Sequence, residues 1–407
     1  MSFSPTLFQR IITPFWGLVE KPENCPATDS AKKLNFESFI RVLLYYLLGD
    51  PDSARSLIID LKDKDCTTAC DLISCGLSTL HDAFARYTCE MFRQLYLALL
   101  QLLPPPGIDE FKQLGQVTLV DSSVFPLAIN AYWAEYKKKS NALKMHLCLS
   151  LNQMIPTCFL ITAANIDDRK ALRAFIEAGV TYIADRGYLD LKLFWHIVDQ
   201  GAHFVIRVRK NLQYEVEKIL SVELIDSVKL IFFEVTDELV RFDCDKHNEL
   251  YRRISFKTRN TLFILVTDRL DLTTFEIIKL YCLRWQIELF FRYIKCTLGA
   301  NHLINKSENG VTIQFYMVLI VHLLLIAFKA QQYQQYLLTK KQLDMAKEKE
   351  NNKQVISYKN RTYYSVEEFI AAIGGTIPSL YKIKKQEWRR IRNGLFKTNV
   401  QLCFDFH

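Results

Sequence analysis

Apolar residues recur at helical spacing through the first hundred positions. Segments 36–48, 53–62 and 77–103 each place Leu, Ile, Phe and Tyr on one face, which predicts three helices. The run Pro104-Pro105-Pro106-Gly107 stops the last of them and marks the clearest boundary in the chain. Beyond it the pattern changes. Short β-rich runs at 116–120, 143–151, 155–162, 180–184 and 204–209 predict strands, and helical stretches at 168–178 and 189–200 interleave with the later ones. Four brief alternating runs, 228–233, 239–243, 251–256 and 261–267, predict a β-rich insertion across about 210–270. Thr273 and Glu276 then have capping-box spacing and open another helix. Segment 311–328 is apolar enough to suggest a membrane span. Gln314 and His322 interrupt it and leave it short of the roughly 20 residues a span needs, so a buried core helix is expected. Three regions result: helical 1–107, an α/β core over 108–330, and a basic, helical 331–407.

The helix opened by Thr273 carries the densest chemistry. Tyr281, Arg284, Glu288 and Lys295 fall in one narrow stripe, while Leu283, Ile287, Phe290 and Ile294 form a separate apolar one. The helix therefore has one face to bury and another that sets a carboxylate among cations. Glu288 has a plainer alternative, because Arg284 and Arg292 stand four residues to either side. Exposed pairs of that kind contribute only about 0.3–0.5 kcal/mol each. Trp285 and Phe291 beside the stripe favour a partly enclosed face.

Two aspartates share another pattern. Asp121 follows a hydrophobic strand and precedes Ser122-Ser123; Asp185 follows another and precedes Arg186-Gly187-Tyr188. Either alone is an ordinary turn former. With Glu288 they supply three carboxylates able to bracket two divalent cations about 3.5–4 Å apart, as in-line displacement at phosphorus requires. Hard oxygen donors suit Mg²⁺ or Mn²⁺.

Charge sharpens this picture. The net charge is +8, and nearly all of the excess lies beyond residue 330, where Lys and Arg outnumber Asp and Glu two to one. That asymmetry favours a polyanionic partner, either nucleic acid or a membrane surface. The cysteines are 11, odd in number and scattered, and the N-terminus lacks a secretory pattern, so a reduced compartment is expected. Cys66, Cys70 and Cys75 suggest half a zinc site without its second half. His146 either approaches the acidic residues or is a satisfied strand histidine.

Asp121, the run Asp185-Arg186-Gly187-Tyr188 and Tyr281-x2-Arg284-Trp285-x-Ile287-Glu288-x6-Lys295, with Leu265-Val-Thr267, Glu276-Ile277 and Phe291, resemble bacterial insertion-sequence transposases of the Asp-Asp-Glu class with the Tyr-Arg-Glu-Lys signature. The likeness spans about 114–330. It implies a ribonuclease H-like mixed-sheet core interrupted by the β-rich insertion, with Asp121, Asp185 and Glu288 as catalytic ligands of two Mg²⁺ (or Mn²⁺). It implies DNA contacts by Tyr281, Arg284 and Lys295, with Arg186 and Trp285 beside them. The activity implied is cleavage of transposon ends and joining of the 3′-hydroxyls to target DNA. The partners implied are double-stranded terminal repeats, target DNA and a second copy of the chain. The N-terminal region would bind the DNA ends, the C-terminal region would serve DNA contact or oligomerisation, and the protein would be cytoplasmic and nucleoid-associated. A catalytically silent DNA-binding derivative and a nuclease without strand transfer are the competing readings.

One departure stands out. Some relatives stack a flipped base on a tryptophan of the insertion, yet 204–270 contains none. Phe256 or Phe263 would have to substitute, or both are core residues. Trp388, among Lys384, Lys385, Arg389, Arg390 and Arg392, either meets DNA backbone or belongs to a solvated amphipathic helix.

Overall fold

The computed structural model describes residues 5–26, 29, 31, 33–49, 51–103, 108–127, 132–137, 140–259, 261–300, 302–344, 361–363, 365–375 and 383–398. Ten strands build one mixed sheet: β1 Gln116–Leu127, β2 Glu135–Lys137, β3 Ser140–Ser150, β4 Ile155–Ala163, β5 Val180–Ala184, β6 His203–Arg207, β7 Tyr214–Ile219, β8 Phe233–Phe242, β9 Tyr251–Lys257 and β10 Leu262–Thr267. Their order is β2-β3-β1-β5-β6-β10-β9-β8-β7, with β4 also paired to β3. β1, β5 and β6 run parallel; every other pairing is antiparallel.

Side-chain alternation sends the two faces of this sheet to two cores. Leu119 and Ile183 belong to a large cluster shared with the helices below, whereas Val120, Tyr182 and Ala184 belong to a second. The N-terminal helices are α1 Leu7–Val19, α2 Phe36–Gly49, α3 Ala54–Asp60, α4 Lys64–Cys70, α5 Leu77–Arg86 and α6 Cys89–Leu102. Two helices, α7 Asp168–Arg173 and α8 Leu191–Asp199, cover the second core. α9 Thr274–Leu283, α10 Trp285–Cys296 and α11 Glu308–Asp344 lie on the first face, followed by α12 Val366–Gly375 and α13 Lys385–Gly394. α11 packs against α1, α2, α5, α6 and β4, so N-terminal helices and sheet share one core. The apolar stretch of α11 is long enough to cross a membrane, but 89% of its most apolar part is buried inside the protein. It is the core helix that the pattern predicts.

Several expectations shift. The helix predicted over 77–103 breaks at Tyr87, whose hydroxyl donates to Asp29 (2.8 Å), and Thr88 precedes the new start. β1 does not end at Asp121 but continues to Leu127 as a ribbon with β3. The insertion extends the central sheet, because β10 pairs with β6 as well as β9. Its strand expected at 228–233 is instead a 3₁₀ turn, Asp226–Val228, and a loop, while β7 went unpredicted because it is nearly all exposed. The proline-rich boundary at 104–107 lies outside the described residues.

Candidate active site

Sheet register brings the two aspartates together. Gln116↔Val180 through Leu119↔Ile183 pair in parallel, so two further steps set Asp121 level with Asp185 on adjacent strands. Both follow the alternation of Leu119 and Ile183 and therefore face α9–α11. Adjacent strands lie about 4.8 Å apart. β5 stops at Ala184 while β1 runs on, which opens the sheet at this point. Asp185 turns the chain: its carboxylate accepts the Gly187 N–H at 2.8 Å. Gly187 belongs there, since a Cβ would stand only 3.0 Å from that oxygen.

Glu288 arrives from α10, which packs on β1. The continuous helix expected from 273 onward is two helices that meet at Arg284, the C-cap of α9 and the N-cap of α10. Leu283, Ile287, Phe290 and Ile294 are all buried, as their stripe predicts, and the last three seat α10. Glu288 then reaches Asp121 through a shared guanidinium. Arg284 donates from Nη2 to Glu288 Oε1 (2.5 Å) and from Nη1 to Asp121 Oδ2 (3.4 Å). Arg292, the other candidate partner of Glu288, is exposed.

The electrostatics are those of an under-compensated site. Burial pushes the Asp121 carboxyl up to about 6; the Ser122 N–H (2.8 Å) and Arg284 oppose that, and the negative charges of Asp185 and Glu288 add to it. Asp185 and Glu288 thus both act on Asp121, and Arg284 lies between Asp121 and Glu288. Among the described residues no three His, Cys, Asp or Glu side chains draw close enough to hold one metal ion, and Arg284 occupies the space between Asp121 and Glu288.

The other signature residues sit around this centre. Tyr281 is buried, with its pKa raised by burial; it lies behind Arg284 (5.8 Å from guanidinium to ring) and edge-on to Phe263. Lys295, in the last turn of α10, reaches farther along β1. It donates to the Val124 carbonyl (2.8 Å) over the Phe125 ring (4.4 Å), and burial lowers its pKa. Trp285 and Arg186 are exposed. Phe256 is buried and stacks on Phe263 (5.1 Å, 8°), whose ring also carries the Arg207 guanidinium at 4.3 Å. Phe256 is therefore core, and Phe263 lies between a ring and a cation.

His146 lies on the other face. It pairs across strands with Ser122, accepts or donates with Thr162 Oγ1 (2.9 Å), and stands 3.1 Å from Asp168. Asp168 keeps a low pKa: burial raises it, but hydrogen bonds from His146 and Ser122 and the Lys144 charge outweigh that. Asp168 and Arg207 had drawn no notice as site neighbours. The legible signal for Asp168 was a polar cross-strand pair, Ser122 with His146, in an apolar sheet. Trp388 is buried on α13, while Arg389 and Arg390 point outward, the amphipathic helix of the two readings.

Residues 112–324, more than half of the chain, match the family model of the transposase DDE domain. The chain belongs to that family. It is similar to a putative transposase, y4zB, of Sinorhizobium fredii (29% identity; 62% of this chain, 71% of the relative). It is also similar to a probable transposase for an insertion sequence element of Geobacillus stearothermophilus (26%; 51% and 55%) and to a putative one of Synechocystis (25%; 61% and 70%). Among solved structures, a piggyBac transposase synaptic complex with hairpin DNA aligns over 96% of this chain and 82% of that one, at TM-score 0.39 and 10% identity, a likeness too distant to argue from.

Proposed function

We propose that this insertion-sequence transposase cleaves the ends of its element and joins the freed 3′-hydroxyls to target DNA, with Asp121, Asp185 and Glu288 as its catalytic residues. The observation that supports the reading is the placement of Asp121 level with Asp185 on adjacent strands, with Glu288 tied to Asp121 through Arg284; burial, helped by the charges of Asp185 and Glu288, holds the Asp121 carboxyl up to about 6. An all-oxygen donor set of this charge fits two Mg²⁺ or Mn²⁺ ions. Divalent cations held there would activate the attacking water or 3′-hydroxyl and stabilise the leaving oxygen of an in-line displacement. The chain's own contribution is positioning. β1 and β5 fix two carboxylates through the sheet, and α10 brings the third against them. Arg284, with Tyr281 behind it, exchanges its carboxylate contacts for a DNA phosphate, a geometry that guanidinium forks match well. Lys295, Arg186 and Trp285 extend the DNA-contacting surface on either side.

A ribonuclease H-like core is part of the proposal. It is supported by the order β4-β3-β1-β5-β6, an antiparallel meander followed by parallel strands. The N-terminal helices would bind the terminal inverted repeats, the basic C-terminal region would contact DNA or a second copy, and two copies would pair the two ends. Such a protein would work in the cytoplasm, on the nucleoid.

End cleavage and joining, assayed with Mg²⁺ on the DNA flanking the coding region, test the reading. Wild type should yield joined product and Glu288→Gln none while still binding DNA. Cut DNA without joining would make the protein a nuclease; binding without cutting would make it a silent derivative.

A further inference from the structure

A second built feature lies beside Asp185. A cavity of about 430 Å³ is lined by Arg169, Arg186, Gly187, Arg209 and Asn211, among others. Three separate segments deliver its cations: the start of α7, the turn after β5, and the chain just beyond β6. β5 and β6 are parallel neighbours, with Ala184 opposite Ile206, so both open at the same edge of the sheet. Arg169 is neutralised by Asp167, whose two oxygens accept from its Nε at 2.9 and 3.0 Å. Arg186 and Arg209 are exposed and have no hydrogen-bond or ion-pair partner among the described residues. The cavity therefore keeps two uncompensated guanidinium groups beside the exposed Asn211.

We infer that this cavity is a phosphate subsite for the DNA strand that enters the active site. This rests on the transposase reading above. Two open guanidinium forks facing a concavity suit a tetrahedral oxyanion, and a lone carboxylate partner on Arg169 orients that side chain without cancelling the others. β6 lies one strand spacing, about 4.8 Å, beyond β5. A backbone laid across the ends of β1, β5 and β6 thus presents one phosphate at Asp121 and Asp185 and a neighbouring one at Arg186 and Arg209. Arg169 and Arg209 become substrate-positioning residues that no signature motif contains.

The test uses the full chain and a fluorescein-labelled DNA duplex of mixed sequence, with affinity measured by anisotropy across a potassium chloride series. Removing one phosphate contact lowers the slope of log K against log salt by about 0.9. Arg209→Gln should lower it by about that much, and adding Arg169→Gln should weaken binding further. Arg209→Lys should keep the wild-type slope. Lys218→Gln, an exposed cation on β7 at the far edge of the sheet, should leave the slope unchanged. A wild-type slope in Arg209→Gln, or an equal fall in Lys218→Gln, would overturn the subsite while leaving the transposase reading intact. Failure of wild type to bind duplex at all would end both.

Discussion

Two clusters of charge are buried against the same sheet, and they obey opposite rules. In the first, Asp237 on β8 and Arg252 on β9 are almost wholly enclosed and fully matched. Arg252 Nη2 meets Asp237 Oδ2 at 2.6 Å, its Nη1 donates to the carbonyls of Arg269 and Leu272, and the Thr274 hydroxyl donates to Asp237 at 2.8 Å. The network ties the insertion to the loop that starts α9, so it sets where the glutamate helix begins. In the second, Asp121 and Glu288 share one arginine with Asp185 beside them, and Asp121 holds its proton up to about 6. A matched buried pair is neutral and locks structure. An unmatched cluster costs stability until a cation enters, and that is the mark of a site built for a ligand.

The comparison breaks first on catalysis. Glu288→Gln should reduce end cleavage by on the order of a thousandfold while sparing DNA affinity, measured as product per turnover on terminal DNA. Stability carries the next effect. Arg252→Ala strands the buried Asp237 carboxylate and should cost about 3–5 kcal/mol in denaturant unfolding. A loss under 1 kcal/mol would mean that the pair is not the lock described.

Asp121→Asn should do the reverse. Its carboxyl binds protons more tightly folded than unfolded, so its contribution to stability is greatest below the ordinary value near 3.8 and is lost as pH rises through about 6. The variant removes that cost and should be more stable than wild type by about 1–2 kcal/mol near neutral pH, the lost Arg284 contact having offset part of the gain. The difference should close toward pH 4. A calorimetric series in which the variant is destabilised at neutral pH would contradict it. Smallest of all, Arg93→Ala breaks an exposed pair with Glu90 (2.8 Å) and should shift stability by less than about 0.5 kcal/mol.

Much of the site was legible because its parts are local. A strand ending in Asp, repeated, and a helix stripe with Glu288 are patterns of periodicity, and the sheet register then sets Asp121 beside Asp185. The break at Arg284 was hidden, because apolar spacing runs through it without a Gly or Pro. β1's extension beyond Asp121 was hidden for another reason: its partner Asn141–Ser150 stretch in β3, not its own composition, keeps it extended. Arg169, Arg186 and Arg209 lie on three segments that only the parallel pairing of β5 and β6 brings to one edge. His146 shows the limit of proximity in sequence, since the pleat turns it to the face opposite Asp121.

Manganese binding, counted by electron paramagnetic resonance with terminal DNA present, tests the acidic centre most directly. Wild type should bind two Mn²⁺ per protomer, and Asp121→Asn, Asp185→Asn and Glu288→Gln should each lose at least one while remaining folded and bound to DNA. Unchanged Mn²⁺ stoichiometry in all three variants would contradict the assignment of Asp121, Asp185 and Glu288 as the metal-holding residues.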